Sequence, residues 1–135
     1  MRVTHVGAVA LGAALGAVVR HLLGEAFPGD ATGFPWVTFW INVSGSFLLA
    51  LLPAFPVVRR HEVLPPLLGT GVLGGYTTLS ACSEQTRHLI DIGSQGLGAT
   101  YLLGTFVACL LAVAIADRFS SRAARVEFEV EEGDL

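Results

Sequence analysis

Charged side chains are far apart along most of this chain, and the stretches between them are apolar. Three long intervals, residues 31–58, 63–83 and 92–116, contain no charged residue at all. A helix needs about 20 apolar residues to cross a bilayer, and each interval is long enough. A soluble domain of this size would show polar faces at helical or strand spacing throughout. The pattern therefore predicts a protein that lies in the lipid bilayer.

The composition supports an all-α membrane protein. Apolar residues make up 53% of the 135 positions and charged residues 14%, whereas about a quarter of the residues of a soluble domain are charged. We expect one membrane domain over residues 1–119, followed by an acidic, disordered cytoplasmic tail over residues 120–135. Four membrane-spanning helices are predicted in the domain, at about residues 3–23, 36–58, 64–90 and 97–119.

Arginine side chains are divided unequally between the two sides that these spans define. Arg20 and Arg87 fall on one side, and six other arginines fall on the side of the two termini: Arg2, Arg59, Arg60, Arg118, Arg122 and Arg125. Positively charged residues are retained on the cytoplasmic side of a membrane. The bias therefore predicts a multi-pass protein of the cell membrane with both termini in the cytoplasm.

The third predicted span has an unusual centre. Residues 74–80 contain two glycines and three Ser or Thr hydroxyls, which makes a continuous helix unfavourable. A break at membrane depth is tolerated where it is buried in protein or lines a polar cavity. The sequence therefore predicts a third helix that is broken in mid-membrane. A close helix crossing at Gly74 and Gly75 is the alternative, but it leaves the hydroxyls unexplained.

A few polar side chains lie deep in the other spans. The amide of Asn42 can donate hydrogen bonds to an anion and cannot be neutralised by protonation. A hydrogen bond between helices is its alternative role. Tyr101, Thr105 and Cys109 recur every four residues and so form one polar track along the fourth span. Because polar groups at bilayer depth are costly, they indicate either function or pairing.

The span interiors offer no acid–base pair, nucleophile or phosphate-binding loop, so we predict that the protein is not an enzyme. Glu84 and Arg87 are three residues apart and are expected to form a local ion pair. A proton-coupled transporter would need a deep ionisable residue, and a four-span multidrug exporter would need a glutamate in the first span. Neither is present, and nothing indicates a nucleic-acid partner. A small passive anion pore, built from hydroxyl and amide donors, or a structural membrane subunit remains.

Three segments resemble those of the Fluc (CrcB) fluoride channel family. Residues 12–20 are a glycine pattern that ends in arginine. Residues 36–47 are similar to the family signature G-T-L-x-V-N-x-x-G-S-F, and residues 71–84 are similar to G-F-x-G-G-x-T-T-F-S-T-F-S-x-E. The segments occur in the family's order, and the resemblance runs from about residue 12 to residue 117.

The resemblance implies an antiparallel, dual-topology dimer in the bilayer, with two pores that export fluoride passively and so reduce its toxicity. It also implies a structural sodium ion at the dimer centre, held by the backbone carbonyls of Gly74 and Thr77. Arg20 matches the arginine of the pore vestibule. The other positions implied to lie along the anion pathway are Asn42, Leu79, Ser80, Cys82, Tyr101, Thr105 and Cys109.

Two departures from the family pattern bear on conduction. The family's paired pore phenylalanines fall at Leu79 and Cys82, and neither side chain offers a positive ring edge. The last hydroxyl of the polar track is replaced by Cys109, a weaker donor. The chain therefore forms either a homodimer or a heterodimer in which a paralogous subunit supplies the phenylalanines. The arginine bias fits a subunit of fixed orientation. The alternative is a non-conducting structural subunit that completes such a heterodimer.

Overall fold

The computed structural model describes residues 3–133 of the chain, apart from the side chains of residues 3, 123 and 131–133. All regular structure in this range is helical, which confirms the predicted all-α class. Short 3-10 turns lie at Leu52–Ala54 and Asp117–Phe119, and a π-helix lies at Leu67–Leu73. The helices are α1 (Val3–Ala26), α2 (Trp36–Leu51), α3 (Pro56–Arg59), α4 (Leu64–Pro66), α5 (Gly74–Tyr76), α6 (Leu79–Asp91), α7 (Gln95–Ala116) and α8 (Arg122–Gly133).

Three helical stretches are long and apolar enough to cross a membrane: Thr4–Ala26, Trp36–Ala54 and Gln95–Phe119. They coincide with the first, second and fourth predicted spans. The interval predicted as the third span is divided instead into α4, the π-helix and α5 on one side and α6 on the other. No single helix among the described residues therefore reaches spanning length in that interval.

The second long helix is shorter than the span predicted at residues 36–58. Its α-helical part ends at Leu51 and the 3-10 turn ends at Ala54. Pro53 and Pro56 explain this end, because proline has no N–H to donate to the preceding turn. Phe55 is extended, with φ −94° and ψ 110°, as is favoured for a residue that precedes proline.

Backbone contact between α1 and the 64–76 segment depends on glycine. A Cβ atom built on Gly16 would overlap the carbonyl oxygen of Val72, and one built on Gly75 would overlap the backbone of Ala13. Helices in lipid associate where small residues let their backbones approach in this way. The close helix crossing is therefore confirmed at Gly75. At Gly74 the nearest atom to such a Cβ is a carbonyl oxygen 3.8 Å away, so this residue is not part of the crossing.

A second packing centre lies where α6 and α7 meet. Cys82, Leu89 and Tyr101 are buried there in one cluster. The ring of Phe34 packs edge-on against Tyr101, with 5.3 Å between ring centroids. Gly98 lets α7 approach α6, since its Cβ position lies 3.3 Å from the carbonyl oxygen of Thr86. Helices α2, α6 and α7 thereby form the body that carries most of the predicted pathway residues.

Most of the predicted tail is helical in the structure, since residues 122–133 form α8. Ala124 and Phe128 are one helical turn apart and are both buried. Arg59 donates to the Glu127 carboxylate at 2.9 Å, which ties α8 to α3. An amphipathic pattern orders this acidic segment because its apolar face finds a surface to cover. Residues 134–135 of the tail and Arg2 of the predicted arginine bias lie outside the described residues.

Candidate anion pathway

The chain between α5 and α6 is extended at two residues. Thr77 has φ −74° and ψ 157°, and Thr78 has φ −153° and ψ 114°. The hydroxyl of Thr78 accepts a hydrogen bond from the backbone N–H of Ala81 at 3.1 Å. This is an N-cap, in which a side-chain oxygen satisfies an otherwise free N–H of the first turn. Helix α5 therefore ends before this threonine pair and α6 begins after it, within the run 74–80 that the sequence singled out.

Asn42 binds the backbone of this extended link. Its Nδ2 donates to the carbonyl oxygen of Thr78 at 3.0 Å, and its Oδ1 accepts from the N–H of Thr78 at 2.8 Å. Both backbone groups of a buried, non-helical residue are thus satisfied by one amide. The alternative role of Asn42, a hydrogen bond between helices, is confirmed. The second Nδ2 hydrogen has no partner among the described hydrogen bonds and is left for another acceptor.

Beside this link lies an open groove of about 250 Å³. It brings together five of the predicted pathway residues, Asn42, Leu79, Cys82, Thr105 and Cys109, with Thr77 of the predicted cation pair. Its other lining residues are Ser46, Thr78, Leu102 and Phe106.

The two positions of the missing phenylalanines differ sharply within the groove. The Leu79 side chain is 77% exposed, whereas Cys82 is 3% exposed and packs against Tyr101. Leu79 therefore projects away from the rest of the chain, and Cys82 belongs to the core against which the groove lies. Both cysteines are free thiols.

A larger cavity of about 520 Å³ adjoins the groove at Thr78, which lines both. Arg20 lies here, together with Thr38 and Gln85. Asp30 also borders the cavity and accepts from the N–H and the hydroxyl of Thr32, each at 2.9 Å. Those hydrogen bonds hold the pKa of the Asp30 carboxyl below its ordinary value, so it is anionic at neutral pH. The mouth of the cavity therefore carries charges of both signs.

The predicted local ion pair at the rim is confirmed. Arg87 contacts the Glu84 carboxylate at 2.6 Å and also pairs with Asp91. All three side chains are exposed, and Glu84 lines the larger cavity. The pair reduces the repulsion that a free Glu84 carboxylate would exert on an anion there.

Tyr101 lies behind the groove rather than in its wall. It is fully buried, and its hydroxyl donates to the Gln85 side-chain oxygen at 2.7 Å. Gln85 in turn donates to the hydroxyl of Thr38 at 2.9 Å. Sequence reasoning missed Gln85 and Thr38, although Thr38 stands one helical turn before Asn42. That spacing on a predicted helix is the signal that would have found it.

Two other predicted residues have local hydrogen bonds. Ser80 is exposed and does not line the groove; its hydroxyl lies 3.2 Å from that of Thr78. Thr105 does line it, but its hydroxyl donates to the carbonyl oxygen of Tyr101 at 2.6 Å. Phe106, which the sequence analysis missed, is 64% exposed beside Thr105 and places an aromatic ring in the groove wall.

Backbone oxygens at the break suit a hard cation. In a continuous helix the N–H of Thr78 would donate to the carbonyl of Gly74, and the N–H of Ala81 to that of Thr77. Here both donors bind side-chain oxygens instead. Gly74 and Thr77 therefore keep carbonyls without those helical donors. In the described part of the chain, no cluster of three or more His, Cys, Asp or Glu side chains offers a metal site.

Comparison with known proteins gives a consistent set of matches. A family model described as CrcB-like protein, Camphor Resistance (CrcB), matches residues 7–116. The chain is 36% identical to Fluoride-specific ion channel FluC 2 of Nocardia farcinica over 123 residues, which cover 87% of this chain and 88% of that relative. It is 45% identical to Fluoride-specific ion channel FluC of Novosphingobium aromaticivorans over 105 residues, which cover 74% and 82%.

A third relative is longer than this chain. Fluoride-specific ion channel FluC 2 of Streptomyces avermitilis is 37% identical over 105 residues, which cover 74% of this chain and 65% of the relative's own length. All three relatives are named as ion channels and none as an enzyme. This agrees with the prediction drawn from the span interiors. Helix α8 lies beyond the residues that the family model matches.

Proposed function

We propose that this chain, which belongs to the CrcB-like family of membrane proteins, is a subunit of a channel through which fluoride leaves the cytoplasm. The observation that carries the proposal is the groove beside the break, where the amide of Asn42 and the hydroxyl of Ser46 lie together. Fluoride is a small, strongly hydrated anion, and a pore must replace its water with hydrogen-bond donors. Passive export through such a pore lowers the fluoride load of the cell.

The groove offers hydrogen-bond donors, and its described lining residues include no negatively charged side chain that would repel an anion. Asn42 keeps one N–H beyond its bonds to Thr78, and Ser46 adds a hydroxyl. The described residues that line the groove include no carboxylate. An anion inside it would therefore meet amide and hydroxyl groups but no like charge. This arrangement supports an anion path rather than a cation path.

Phe106 could supply the aromatic contact to fluoride that Leu79 and Cys82 do not offer. The family resemblance expects phenylalanines at positions 79 and 82, which are Leu79 and Cys82 here. Phe106 lines the same groove from α7. The edge of an aromatic ring is positive and attracts an anion. We assign this ring the contact that the two substituted positions lack.

Entry to the groove is through the larger cavity. Arg20 lines that cavity, and Thr78 borders both spaces. A positive charge at the mouth of a cleft with apolar walls raises the local concentration of anions. The proposed path runs from Arg20 past Thr78 to Asn42 and then along Thr105 towards Cys109.

A second subunit completes the path. The groove is open on one side and Leu79 is 77% exposed there. Non-helical backbone at membrane depth needs cover from protein or from a water-filled cavity. We propose that α4, the π-helix, α5 and α6 together form the third of four spans, broken at Thr77 and Thr78. An antiparallel partner, either a second copy or a paralogous subunit, would cover the break.

Sodium is the cation proposed at the break. The carbonyls of Gly74 and Thr77 would hold it, since unwound carbonyls coordinate Na⁺ in membrane proteins. When bound, the ion supplies positive charge that offsets the mutual repulsion of these oxygens. The chain's own part is to keep the two carbonyls out of helical hydrogen bonds.

The second candidate is a structural subunit that does not conduct alone. It is favoured by Leu79 and Cys82, which carry no aromatic ring, and by Cys109, whose thiol is a weak donor. In that case a paralogous partner with both phenylalanines would supply the conducting surfaces.

Fluoride release from liposomes distinguishes these functions. Vesicles loaded with potassium fluoride and reconstituted with this chain alone should release fluoride when valinomycin is added, as an electrode would record. Chloride-loaded vesicles and vesicles without protein serve as controls. Release only after co-reconstitution with the paralogue would support the structural candidate. Equal release of fluoride and chloride, or silence with and without the paralogue, would contradict a fluoride channel.

A further inference from the structure

We propose that Asn42 and the hydroxyl of Thr78 act as positioning groups that keep the Gly74 and Thr77 carbonyls available to a cation. They do so by taking the backbone donors that would otherwise close the helix. The inference rests on the proposed sodium site and adds a role for Asn42 besides the anion path. Neither residue needs to touch the ion.

The first step concerns Gly74. Its carbonyl would accept from the N–H of Thr78 if α5 continued. That N–H donates instead to Asn42 Oδ1 at 2.8 Å, the shorter of the two bonds between these residues. The same amide also donates to the carbonyl of Thr78. Asn42 therefore binds both the N–H and the carbonyl of Thr78. In this way Asn42 replaces the Gly74 carbonyl as the acceptor for the Thr78 N–H, and the Gly74 carbonyl is left without that donor.

The second step concerns Thr77. Its carbonyl would accept from the N–H of Ala81, but the Thr78 hydroxyl takes that donor at 3.1 Å. The Thr77 N–H and its hydroxyl both donate to the carbonyl of Leu73, at 3.0 Å and 2.9 Å. These bonds fix the position of Thr77, while its own carbonyl takes no part in the hydrogen bonds of the helix. Each freed carbonyl thus has one named side-chain group responsible for it.

Close packing of α2 on the link makes this substitution possible. A Cβ atom at Gly45 would overlap the methyl group of Thr77, so only glycine lets α2 come this near. Ser44 adds a hydrogen bond of 3.0 Å to the hydroxyl of Tyr76, the last residue of α5. Asn42, Ser44 and Gly45 therefore contact the three residues on which the break depends. A buried amide in this position is preorganised and costs no reordering when a cation binds.

Only an amide of this length serves both backbone groups of Thr78. A carboxylate at position 42 would accept from the N–H but would repel the carbonyl. Leucine has the same shape as asparagine and offers neither bond. Without Asn42, the Gly74 carbonyl could again accept a helical hydrogen bond, and without the Thr78 hydroxyl the Thr77 carbonyl could do so. In either case the cation would lose one ligand.

Sodium-dependent thermal stability of the purified protein tests the proposal. The midpoint of stabilisation would be measured as sodium replaces N-methylglucamine at constant ionic strength, with no fluoride present. Asn42→Leu and Thr78→Val should each raise the sodium midpoint by about tenfold or more, since a lost hydrogen bond and a lost ligand are each worth about that factor. Thr78→Ser keeps the hydroxyl and should restore the midpoint. Thr100→Val is the matched control, because Thr100 is exposed and its hydroxyl donates to the carbonyl oxygen of Gly96 within α7, far from the break in sequence.

Each result decides between distinct conclusions. Midpoints for Asn42→Leu and Thr78→Val that equal that of the unaltered chain would overturn the positioning role and leave the sodium site standing. If the unaltered chain shows no sodium dependence, the sodium site and this inference both fail, whereas the fluoride-release experiment still decides the channel function. Thr78→Val is nearly isosteric, so the test remains decisive if Asn42→Leu does not fold.

Discussion

In the proposed pathway, single charged residues at the larger cavity are expected to influence how anions reach the groove. Arg20 and Asp30 line the same cavity with opposite charge. Their field acts on an approaching ion before any contact forms, and it is screened by salt. We therefore expect the balance between these two side chains to affect the rate of anion entry rather than selectivity.

Arg20→Gln should lower fluoride release from liposomes several-fold at low ionic strength, and the loss should shrink as inert salt is added, since screening removes the attraction. Asp30→Asn is its counterpart and should raise release under the same conditions. Release would be followed with a fluoride electrode across a series of salt concentrations. An Arg20→Gln effect that does not depend on salt would show that the arginine acts by contact or packing instead.

Phe106 offers a second prediction at this scale. Phe106→Leu keeps an apolar side chain in the groove but removes the ring edge, so fluoride release should fall by about tenfold. Phe119→Leu is the matched control, because Phe119 is similarly exposed on the turn after α7 but does not line the groove. Equal release from both variants would remove Phe106 from the path.

Among the helices, the crossing of α1 with the 64–76 segment is the tightest contact. Gly16→Ala places a methyl group on the carbonyl oxygen of Val72. The backbone must shift, and we expect a loss of about 2 kcal/mol or more in the free energy of unfolding. Gly24→Ala in the same helix meets no atom within 4 Å and should be neutral or slightly stabilising. Unfolding in detergent micelles compares them, and equal stabilities would mean that the helices do not cross this closely.

Helix α8 covers the connection between α2 and α4. Phe128→Ala opens a cavity beneath it and should lower the free energy of unfolding by about 3 kcal/mol. Cleavage by protease at Ser121 and Arg122 should become faster, because the helix would detach more often. Val130→Ala on the exposed side of the same helix is the control. Unchanged proteolysis of Phe128→Ala would show that the helix is held by its ion pair with Arg59 rather than by the buried ring.

The whole molecule has two chemically different ends. The Arg59–Glu127 pair joins the α3 end of the fold to α8, which begins at Arg122. Arg20 and the pair of Arg87 with Glu84 lie around the opposite cavity. The concentration of arginine at the first end supports a single insertion direction.

If this chain works as one of two paired subunits, its C-terminus should lie in the cytoplasm in every molecule, as the arginine bias indicates. A C-terminal tag should then be cut by protease added to inverted membrane vesicles and should be protected in spheroplasts. A periplasmic control protein would report leaky membranes. Comparable cleavage in both preparations would show dual insertion and would favour the homodimer over a paired subunit.

Properties of single segments were predictable from the sequence. The first, second and fourth predicted spans coincide with the three helices of spanning length, and the glycine and threonine run at 74–80 marked where helix α5 ends and α6 begins. The Glu84–Arg87 pair also followed from spacing alone. These features are local, because chain length, propensity and helical period depend on neighbours along the chain.

Helix α8 depends on contacts that composition does not describe. The acidic composition of the segment favours disorder, whereas Ala124 and Phe128 are buried where α8 contacts the α2–α4 connection. Twelve residues do not form a stable helix alone, so the order of α8 comes from the surface that it covers. Composition cannot report a surface that other segments build.

The sequence by itself determined that this is a helical membrane protein of the CrcB-like family, and it named most of the groove residues. Only the tertiary structure decided that Asn42 binds Thr78, that Tyr101 stands behind Gln85, and that Phe106 enters the groove wall. The periodicity of a helix fixes which residues share a face. The rotation and crossing of packed helices decide which faces meet, and these depend on contacts between segments that are distant in the chain.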